Sequence, residues 1–389
     1  MSSQVRDARS GSRPRPPRTR TPIVDQHATW IAVNPVQGCP MACVHCFLNE
    51  RGQTAVRSEQ FATPVETVNL LTASQFYEPS RPVALYTWTD VMALPASRAH
   101  LAELLGVLAD RQFTNPLVLI TKCHVPDETV ETIAAARRLG LRVIVYLSYS
   151  GLGRDIERGI RHEAIADNFP RLAEADIPVV HYWRPAFPES ANPEKMERVI
   201  ALASRFARCT VAAGLKVERA PVARLAEVWP ELAETPGVAE AEGVYPRPFW
   251  DFIHRTWQQY PGYPLFHTNS CALAYVFAQA DRFGVFRSTT CRTRNNCPTA
   301  QRNRCTVAAM HRASPGAEQV RAALEQRGLA GVRFSLTADG QELVIHAAVA
   351  TSITAALTQD LGVRVKAARQ DADAYWSSGT AGAVPLVLG

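Results

Sequence analysis

The sequence predicts an α/β fold: a partial, TIM-like (β/α)6 barrel with a cysteine-rich C-terminal extension and a small α+β module. From about residue 33 to residue 217, short apolar runs alternate with amphipathic stretches of helical period. The apolar runs are too hydrophobic for one face to lie in water, which favours a parallel sheet covered by helices. Six such units are too few to close an eight-stranded barrel, so we expect a partial one.

Each predicted strand except the last is followed by a predicted helix. The strands are expected at 33–38, 83–88, 117–122, 142–148, 178–184 and 209–215. The helices are expected near 64–77, 98–111, 127–139, 162–175 and 193–207. Pro64 and Pro193 stand where prolines open helices, and Gly140 stands where a glycine closes one. Because reactive groups of such barrels lie at the C-terminal ends of the strands, the residues after each run are candidate site residues.

Beyond residue 217 the alternation stops. We expect a disordered basic tail (1–22), the partial barrel (23–220), an aromatic and cysteine-rich extension (221–312) and the α+β module (313–389). The module is expected to contain helices at 316–328 and 350–361 and strands at 331–337, 342–348 and 363–367. The last residues, 379–389, are expected to form a tail.

Composition and charge set the broad class. The chain has 389 residues, of which 47% are hydrophobic and 20% charged, as in globular proteins. No apolar run approaches the roughly 18 residues of a membrane span, and no signal peptide is visible, so a cytoplasmic location is expected. The net charge of +6 comes mostly from residues 1–22, which hold six arginines and one aspartate. This tail either contacts phosphates non-specifically or serves as a solubilising segment.

The nine cysteines indicate metal binding or catalysis rather than disulfides, which a reducing compartment disfavours. Three of them, Cys39, Cys43 and Cys46, follow the first predicted strand. A face of three thiolates on a 4Fe-4S cluster leaves one iron without a protein ligand. A cofactor can bind at that iron, and the protein then has to position it.

The run CPMACVHC at 39–46 resembles the signature of the radical SAM (S-adenosylmethionine) enzymes. The resemblance implies that the open iron binds the amino and carboxylate groups of SAM. It further implies that an electron from the cluster cleaves SAM to methionine and a 5'-deoxyadenosyl radical, which takes a hydrogen from the substrate. A reducing partner such as flavodoxin or ferredoxin is implied as well.

The order of the strand-end segments is most similar to the spore photoproduct lyase family, over about residues 30–217. In that family a Ser/Thr-Asp segment, a lysine and a serine hold the amino acid end or the ribose of SAM. The resemblance therefore implies cofactor-binding roles for Thr89, Asp90, Lys122 and Ser148, and for His45, where the superfamily places an aromatic residue against the adenine. Arg184, after the fifth predicted strand, is a further cofactor-binding candidate by its position.

One departure concerns the hydrogen donor. The lyase family uses a cysteine near the end of the second strand, where this chain has Tyr86-Thr87-Trp88. Cys123, next to Lys122, is the candidate catalytic thiol here, and a buried structural cysteine is the alternative. Thymine-dimer repair therefore does not follow from the resemblance.

A second cysteine group lies in the extension. It consists of Cys271, Cys291, Cys297 and Cys305, which can close around one metal centre. Both an auxiliary 4Fe-4S cluster and a structural zinc ion accept four thiolates, and the sequence favours the cluster because the chain already assembles one. Five arginines, at 287, 292, 294, 302 and 304, are interleaved with these cysteines.

Three functional hypotheses result. In the first, the chain is a radical SAM enzyme acting on a nucleobase in DNA or RNA, similar to the lyase family. In the second, it is a radical SAM maturase of a peptide or small metabolite. In the third, it is a non-enzymatic nucleic-acid-binding protein in which both cysteine groups hold zinc.

Overall fold

The computed structural model of the chain describes residues 16–218, 222–281, 297–369 and 385–389. Its strands are β1 (Val24–Gln26), β2 (Ile31–Val33), β3 (Val36–Gln37), β4 (Glu59–Gln60), β5 (Val83–Leu85), β6 (Pro116–Thr121), β7 (Arg142–Leu147), β8 (Val179–Trp183), β9 (Cys209–Ala212), β10 (Val244–Pro246), β11 (Leu265–Phe266), β12 (Phe334–Leu336), β13 (Glu342–Ala348), β14 (Arg364–Arg369) and β15 (Leu386–Leu388). The described helices are α1 (Pro64–Ala73), α2 (Pro95–Asp110), α3 (Asp127–Arg138), α4 (His162–Ala166), α5 (Asn168–Glu174), α6 (Pro193–Phe206), α7 (Val222–Leu225), α8 (Glu231–Glu234), α9 (Arg247–Gln259), α10 (Asn269–Val276), α11 (Thr299–Met310), α12 (Ala317–Gln326) and α13 (Thr351–Leu361).

The central sheet is mostly parallel, as the sequence predicts for an α/β fold. Its eight strands lie in the order β1-β2-β5-β6-β7-β8-β9-β11. Only β1 runs antiparallel to its neighbour. Alternate residues of each strand enter different clusters: Leu117 and Leu119 of β6 pack with the helices, and Val118 packs with aromatic rings on the other face. Both faces are therefore buried, which explains the continuous apolar runs.

Two details of the predicted sheet are wrong. The first strand was expected at 33–38, but β2 ends at Val33, and Val36–Gln37 pairs with β4 in a separate sheet. Pro35 has no N–H for a ladder, and the Asn34 side chain accepts hydrogen bonds from Thr87 and from the Trp88 backbone. The alternation also continues past residue 217, because β11 adds a seventh parallel strand beside β9.

The C-terminal elements lie close to their expected positions, with β13 between β12 and β14. This module contacts the strand layer, since Arg81 donates to Asp360, and Gln359 Nε2 donates to the Ala28 carbonyl at 2.7 Å. The expected tail at 379–389 is wrong at its end, because β15 pairs in parallel with β10. No described helix is long and apolar enough to cross a membrane.

Residues 16–22, which fall within the expected disordered tail, pack against the chain. Gln37 Nε2 donates to the Thr21 carbonyl at 2.8 Å. Arg18 and Arg20 both form ion pairs with Glu59, at 3.7 and 3.4 Å. Two of the six N-terminal arginines thus have an acidic partner within the chain itself.

Candidate active site around the three-cysteine loop

The loop that carries Cys39, Cys43 and Cys46 is folded by hydrogen bonds to its own backbone. The amide of Asn49 donates to the carbonyl oxygens of Cys43, Val44 and Cys46, at 2.9, 3.1 and 2.8 Å. The Thr54 hydroxyl orients this amide by donating to its oxygen at 2.7 Å. Backbone carbonyls that are shielded from water need a hydrogen-bond donor. The Asn49 side chain supplies it for all three.

A second segment holds the loop from the side. The backbone N–H of Ala42 donates to the Arg158 carbonyl at 3.2 Å, and that of Val44 donates to the Ile156 carbonyl at 2.8 Å. The loop therefore depends on the stretch after β7, which also carries Glu157. Together these contacts place the three cysteines at the carboxyl-end edge of the parallel sheet.

The three thiols lie close enough to affect one another's ionisation. Burial raises the pKa of Cys39 to about 12, with the neighbouring Cys46 raising it further. Burial likewise raises the pKa of Cys43 and of Cys46, and the Lys122 ammonium opposes this in both. Every described cysteine is free of disulfides. Without a metal these thiols stay protonated at neutral pH, and a bound metal would convert them to thiolates.

Glu157 and Lys122 form a partly buried ion pair beside this loop. The Glu157 side chain has no exposed surface, and its Oε1 lies 2.5 Å from Lys122 Nζ. Its other oxygen, Oε2, accepts from the Ser150 hydroxyl at 2.7 Å and lies 3.4 Å from His162 Nε2. His45 Nε2 lies 3.9 Å from Oε1. This carboxylate thus connects the lysine to the histidine of the cysteine loop.

The expected cofactor residues Thr89 and Asp90 make contacts within the protein. The Thr89 hydroxyl donates to the Gly38 carbonyl at 2.7 Å, immediately before the cysteine loop. Asp90 accepts from the Thr121 hydroxyl at 2.8 Å and from the Lys122 backbone N–H at 2.7 Å. Burial raises the pKa of Asp90, and these hydrogen bonds oppose the rise. Both side chains therefore fix the ends of the neighbouring strands relative to the loop.

Ser148 and Arg184 meet at the same strand ends. The Arg184 carbonyl accepts from Lys122 Nζ at 3.1 Å and lies 3.4 Å from the Ser148 hydroxyl. The guanidinium of Arg184 donates to the Tyr182 hydroxyl at 2.9 Å. It also helps to lower the pKa of His45, which burial already holds well below its usual value. The imidazole of His45 is therefore neutral at physiological pH.

Cys123 shares this neighbourhood. Burial raises the pKa of its thiol far above the usual value, and Asp90, Cys39 and Cys43 raise it further. Its backbone N–H donates to the Thr121 hydroxyl at 2.9 Å. The thiol is thus protonated and lies near the cysteine loop.

The described part of the second cysteine group gathers around Asp281. Cys271 Sγ donates to Asp281 Oδ2 at 3.4 Å, and the Asp281 backbone N–H donates to Cys305 Sγ at 3.3 Å. Cys297 and Cys271 pack against the same hydrophobic cluster. Cys291, with Arg287, Arg292 and Arg294, lies outside the described residues. Within the described ranges, no three His, Cys, Asp or Glu side chains, including those of the first group, meet as a single-ion site.

Three polar residues of the site escaped sequence reasoning: Ser150, Glu157 and His162. They lie in or next to a loop without a periodic pattern, so no sequence feature indicates that they lie beside Lys122. A weak signal exists, because they follow β7 within the same strand-end segment as Ser148.

Replacing Asn49 with alanine should disorder the cysteine loop. Three carbonyls would lose their common donor, whose two N–H hydrogens supply about two full hydrogen bonds, each worth about 1 kcal/mol. We therefore expect a loss of about 2 kcal/mol in unfolding free energy and a clear drop in iron bound after anaerobic reconstitution. Asn69→Ala, on the exposed face of α1, is the matched control. Iron content equal to that of the wild type would show that Asn49 does not shape the metal site.

No protein-family model matches the chain, and no curated protein matches it in sequence. Solved structures do match. SuiB from Streptococcus suis, bound to S-adenosylmethionine, is 13% identical with a TM-score of 0.44, over 62% of this chain and 51% of that one. A spore photoproduct lyase variant with dinucleoside spore photoproduct is 12% identical with a TM-score of 0.47, over 64% and 80%.

A radical S-adenosylmethionine methyltransferase, TsrM from Kitasatospora setae, is 16% identical with a TM-score of 0.33, over 48% of this chain and 34% of that one. The chain thus spans about half the length of SuiB and a third of TsrM.

Proposed function

We propose that the chain is a radical SAM enzyme in which Cys39, Cys43 and Cys46 hold a 4Fe-4S cluster. The observation that carries this proposal is the group of three free thiols on one loop, two buried and one half-buried, beside the half-buried Lys122 at the carboxyl-end edge of a parallel sheet. The donor set fits the group, since three thiolates leave one iron open for a cofactor. Cluster and SAM together supply reductive cleavage of SAM to a 5'-deoxyadenosyl radical, which takes a hydrogen from the substrate.

The chain's own residues would bind and orient the cofactor. Lys122, held by Glu157, is a charge-assisted donor suited to the carboxylate of SAM. The neutral His45 ring offers a face for the adenine, and the Ser148 hydroxyl suits the ribose. Thr89 and Asp90 contribute by positioning the cysteine loop and Lys122. The partial barrel, as we propose it, keeps water away from the radical.

Cys123 is the proposed hydrogen-atom donor to a product radical. That role requires a protonated thiol next to the reacting centre, and burial keeps this thiol protonated. Its proximity to the cysteine loop supports the assignment.

The second cysteine group is proposed to hold an auxiliary metal centre, either a 4Fe-4S cluster or zinc. The convergence of Cys271 and Cys305 on Asp281 supports this. Cys297 and Cys291 complete the proposed set of thiolates.

The substrate is proposed to be a nucleobase in DNA or RNA, or a peptide or small metabolite. The ion pairs of Arg18 and Arg20 with Glu59 favour a peptide or small metabolite, since they reduce the positive charge available to the phosphates of a nucleic acid. Binding to an oligonucleotide that weakens steeply with salt would select the first class, because phosphate contacts release counterions.

The proposed activity is tested with protein reconstituted anaerobically with iron and sulfide. Addition of dithionite and SAM should yield 5'-deoxyadenosine and methionine, and omission of dithionite should yield neither. Absence of 5'-deoxyadenosine from protein that carries its full iron would refute the proposal.

A further inference from the structure

A polar cluster lies at the carboxyl-end edge of β8, β9 and β11, beside the proposed active site. Its members are Tyr182, Arg184, Tyr245, His267 and Asn269. The Tyr182 hydroxyl accepts from Arg184 Nη1 at 2.9 Å and from Asn269 Nδ2 at 3.2 Å. Ligands of parallel α/β sheets bind at this edge. Arg184 joins the cluster to the cysteine loop, because its carbonyl holds Lys122.

Two acceptor atoms of this cluster are unused. His267 Nε2 and Asn269 Oδ1 are shielded from solvent and have no hydrogen-bond partner among the described residues. His267 Nδ1 lies 3.1 Å from the Ala212 carbonyl, which can only accept, so Nδ1 carries the proton and Nε2 a lone pair. Burial lowers the pKa of His267 to about 4, which keeps the ring neutral. Buried acceptors without donors are rare in folded proteins and need an explanation.

The ring that carries one of these acceptors is fixed in place. Trp250 of α9 stacks on His267, with ring centroids 5.3 Å apart and planes inclined by 21°. The Tyr245 hydroxyl donates to the same Ala212 carbonyl at 3.4 Å. Asn269 is held through its Nδ2 bond to Tyr182. Both acceptors are therefore presented by side chains whose other polar atoms are already bound.

We propose that His267 Nε2 and Asn269 Oδ1 form a substrate subsite for a neutral planar group with a primary N–H2, either a carboxamide or an amino-substituted heterocycle. Two acceptors need donors, and a primary N–H2 group presents two N–H donors from a single atom; the nearby Arg184 guanidinium disfavours a cationic amidine. The inference rests on the proposed function only in calling the ligand a substrate, because binding itself needs neither SAM nor an electron.

The test is NMR of the full reconstituted chain labelled with 15N-histidine. The ten histidines are few enough to resolve, and His267→Asn assigns the relevant signal. Acetamide should shift the His267 Nε2 resonance, whereas N,N-dimethylacetamide, which lacks N–H groups, should not. A second pair of probes tests the heterocycle. 1-Methylcytosine carries an exocyclic amine, and 1-methyluracil carries an oxygen at that position. A shift by acetamide alone assigns a carboxamide, and one by 1-methylcytosine alone assigns an aminated heterocycle.

Asn269→Leu removes one acceptor and should weaken the binding of the active probe by about fivefold or more. His254→Asn, on α9 with its ring 5.4 Å from that of His267, is the control and should leave binding unchanged. The inference is overturned if neither acetamide nor 1-methylcytosine shifts the His267 Nε2 resonance, which is the result expected if a water molecule occupies the site. It is also overturned if N,N-dimethylacetamide shifts this resonance as much as acetamide does. SAM cleavage measured on the same preparation reports separately on the proposed function.

Discussion

Simultaneous replacement of Cys39, Cys43 and Cys46 by alanine is expected to remove about four irons per chain and to abolish 5'-deoxyadenosine formation. The three thiols are free, lie close enough to raise one another's pKa, and are buried or half-buried. Burial makes each isolated thiolate unfavourable, so the loop gains from a metal that binds all three. Iron and sulfide quantitation, with chromatography of the SAM products, measures both effects.

The iron that remains in this triple variant reports on the second cysteine group. About four residual irons would assign an auxiliary cluster to Cys271, Cys291, Cys297 and Cys305. No residual iron with about one zinc would assign a structural zinc site. Cys209→Ala is the control for the first site, because Cys209 is buried in β9, in the cluster that Cys271 and Cys297 contact, and is not one of the proposed ligands. A triple variant with the iron content and activity of the wild type would refute the assignment of the first site.

The central strands were predictable because burial on both faces forces an unbroken apolar sequence. β6 and β7 lie within one residue of their predicted positions, and both consist largely of valine, isoleucine and leucine. The strand β11 was not predicted, because its two residues are too few to produce a pattern. The first strand was predicted to continue through Pro35, whereas the Asn34 side chain accepts the Trp88 backbone N–H there.

The candidate site was predictable to the extent that a strand end or a cysteine spacing marked it. Thr89 contacts Gly38 at the start of the loop, and hydrogen bonds link Asp90 to Lys122 and Lys122 to Ser148 at the following strand ends. Their individual contacts were not predictable, since the bonds of Asp90 to Thr121 and Lys122 depend on strand register. Glu157 was missed because a loop glutamate gives no sign of burial, although its side chain is fully buried.

A double-mutant cycle on Glu157 and Lys122 should separate folding from cofactor binding. Glu157→Gln removes the negative charge and leaves the Lys122 ammonium with neutral acceptors only, the amide oxygen of the new side chain and the carbonyl oxygens of Arg184 at 3.1 Å and Ser148 at 3.5 Å. Breaking a buried pair costs about 3 to 5 kcal/mol, and we expect about 3 here because Lys122 keeps some exposure. Lys122→Met should be destabilising by a similar amount, since it leaves the buried Glu157 carboxylate without its cationic partner. Denaturant unfolding measures both.

The double variant should recover most of the lost stability, because it leaves no unpaired charge behind. Its SAM affinity should nevertheless stay as low as that of Lys122→Met, roughly tenfold below the wild type, since the charge-assisted donor is missing in both. Glu163→Gln, on the exposed side of α4, should change neither quantity. If the double variant binds SAM as the wild type does, Lys122 does not contact the cofactor, and its pairing with Glu157 serves the fold alone.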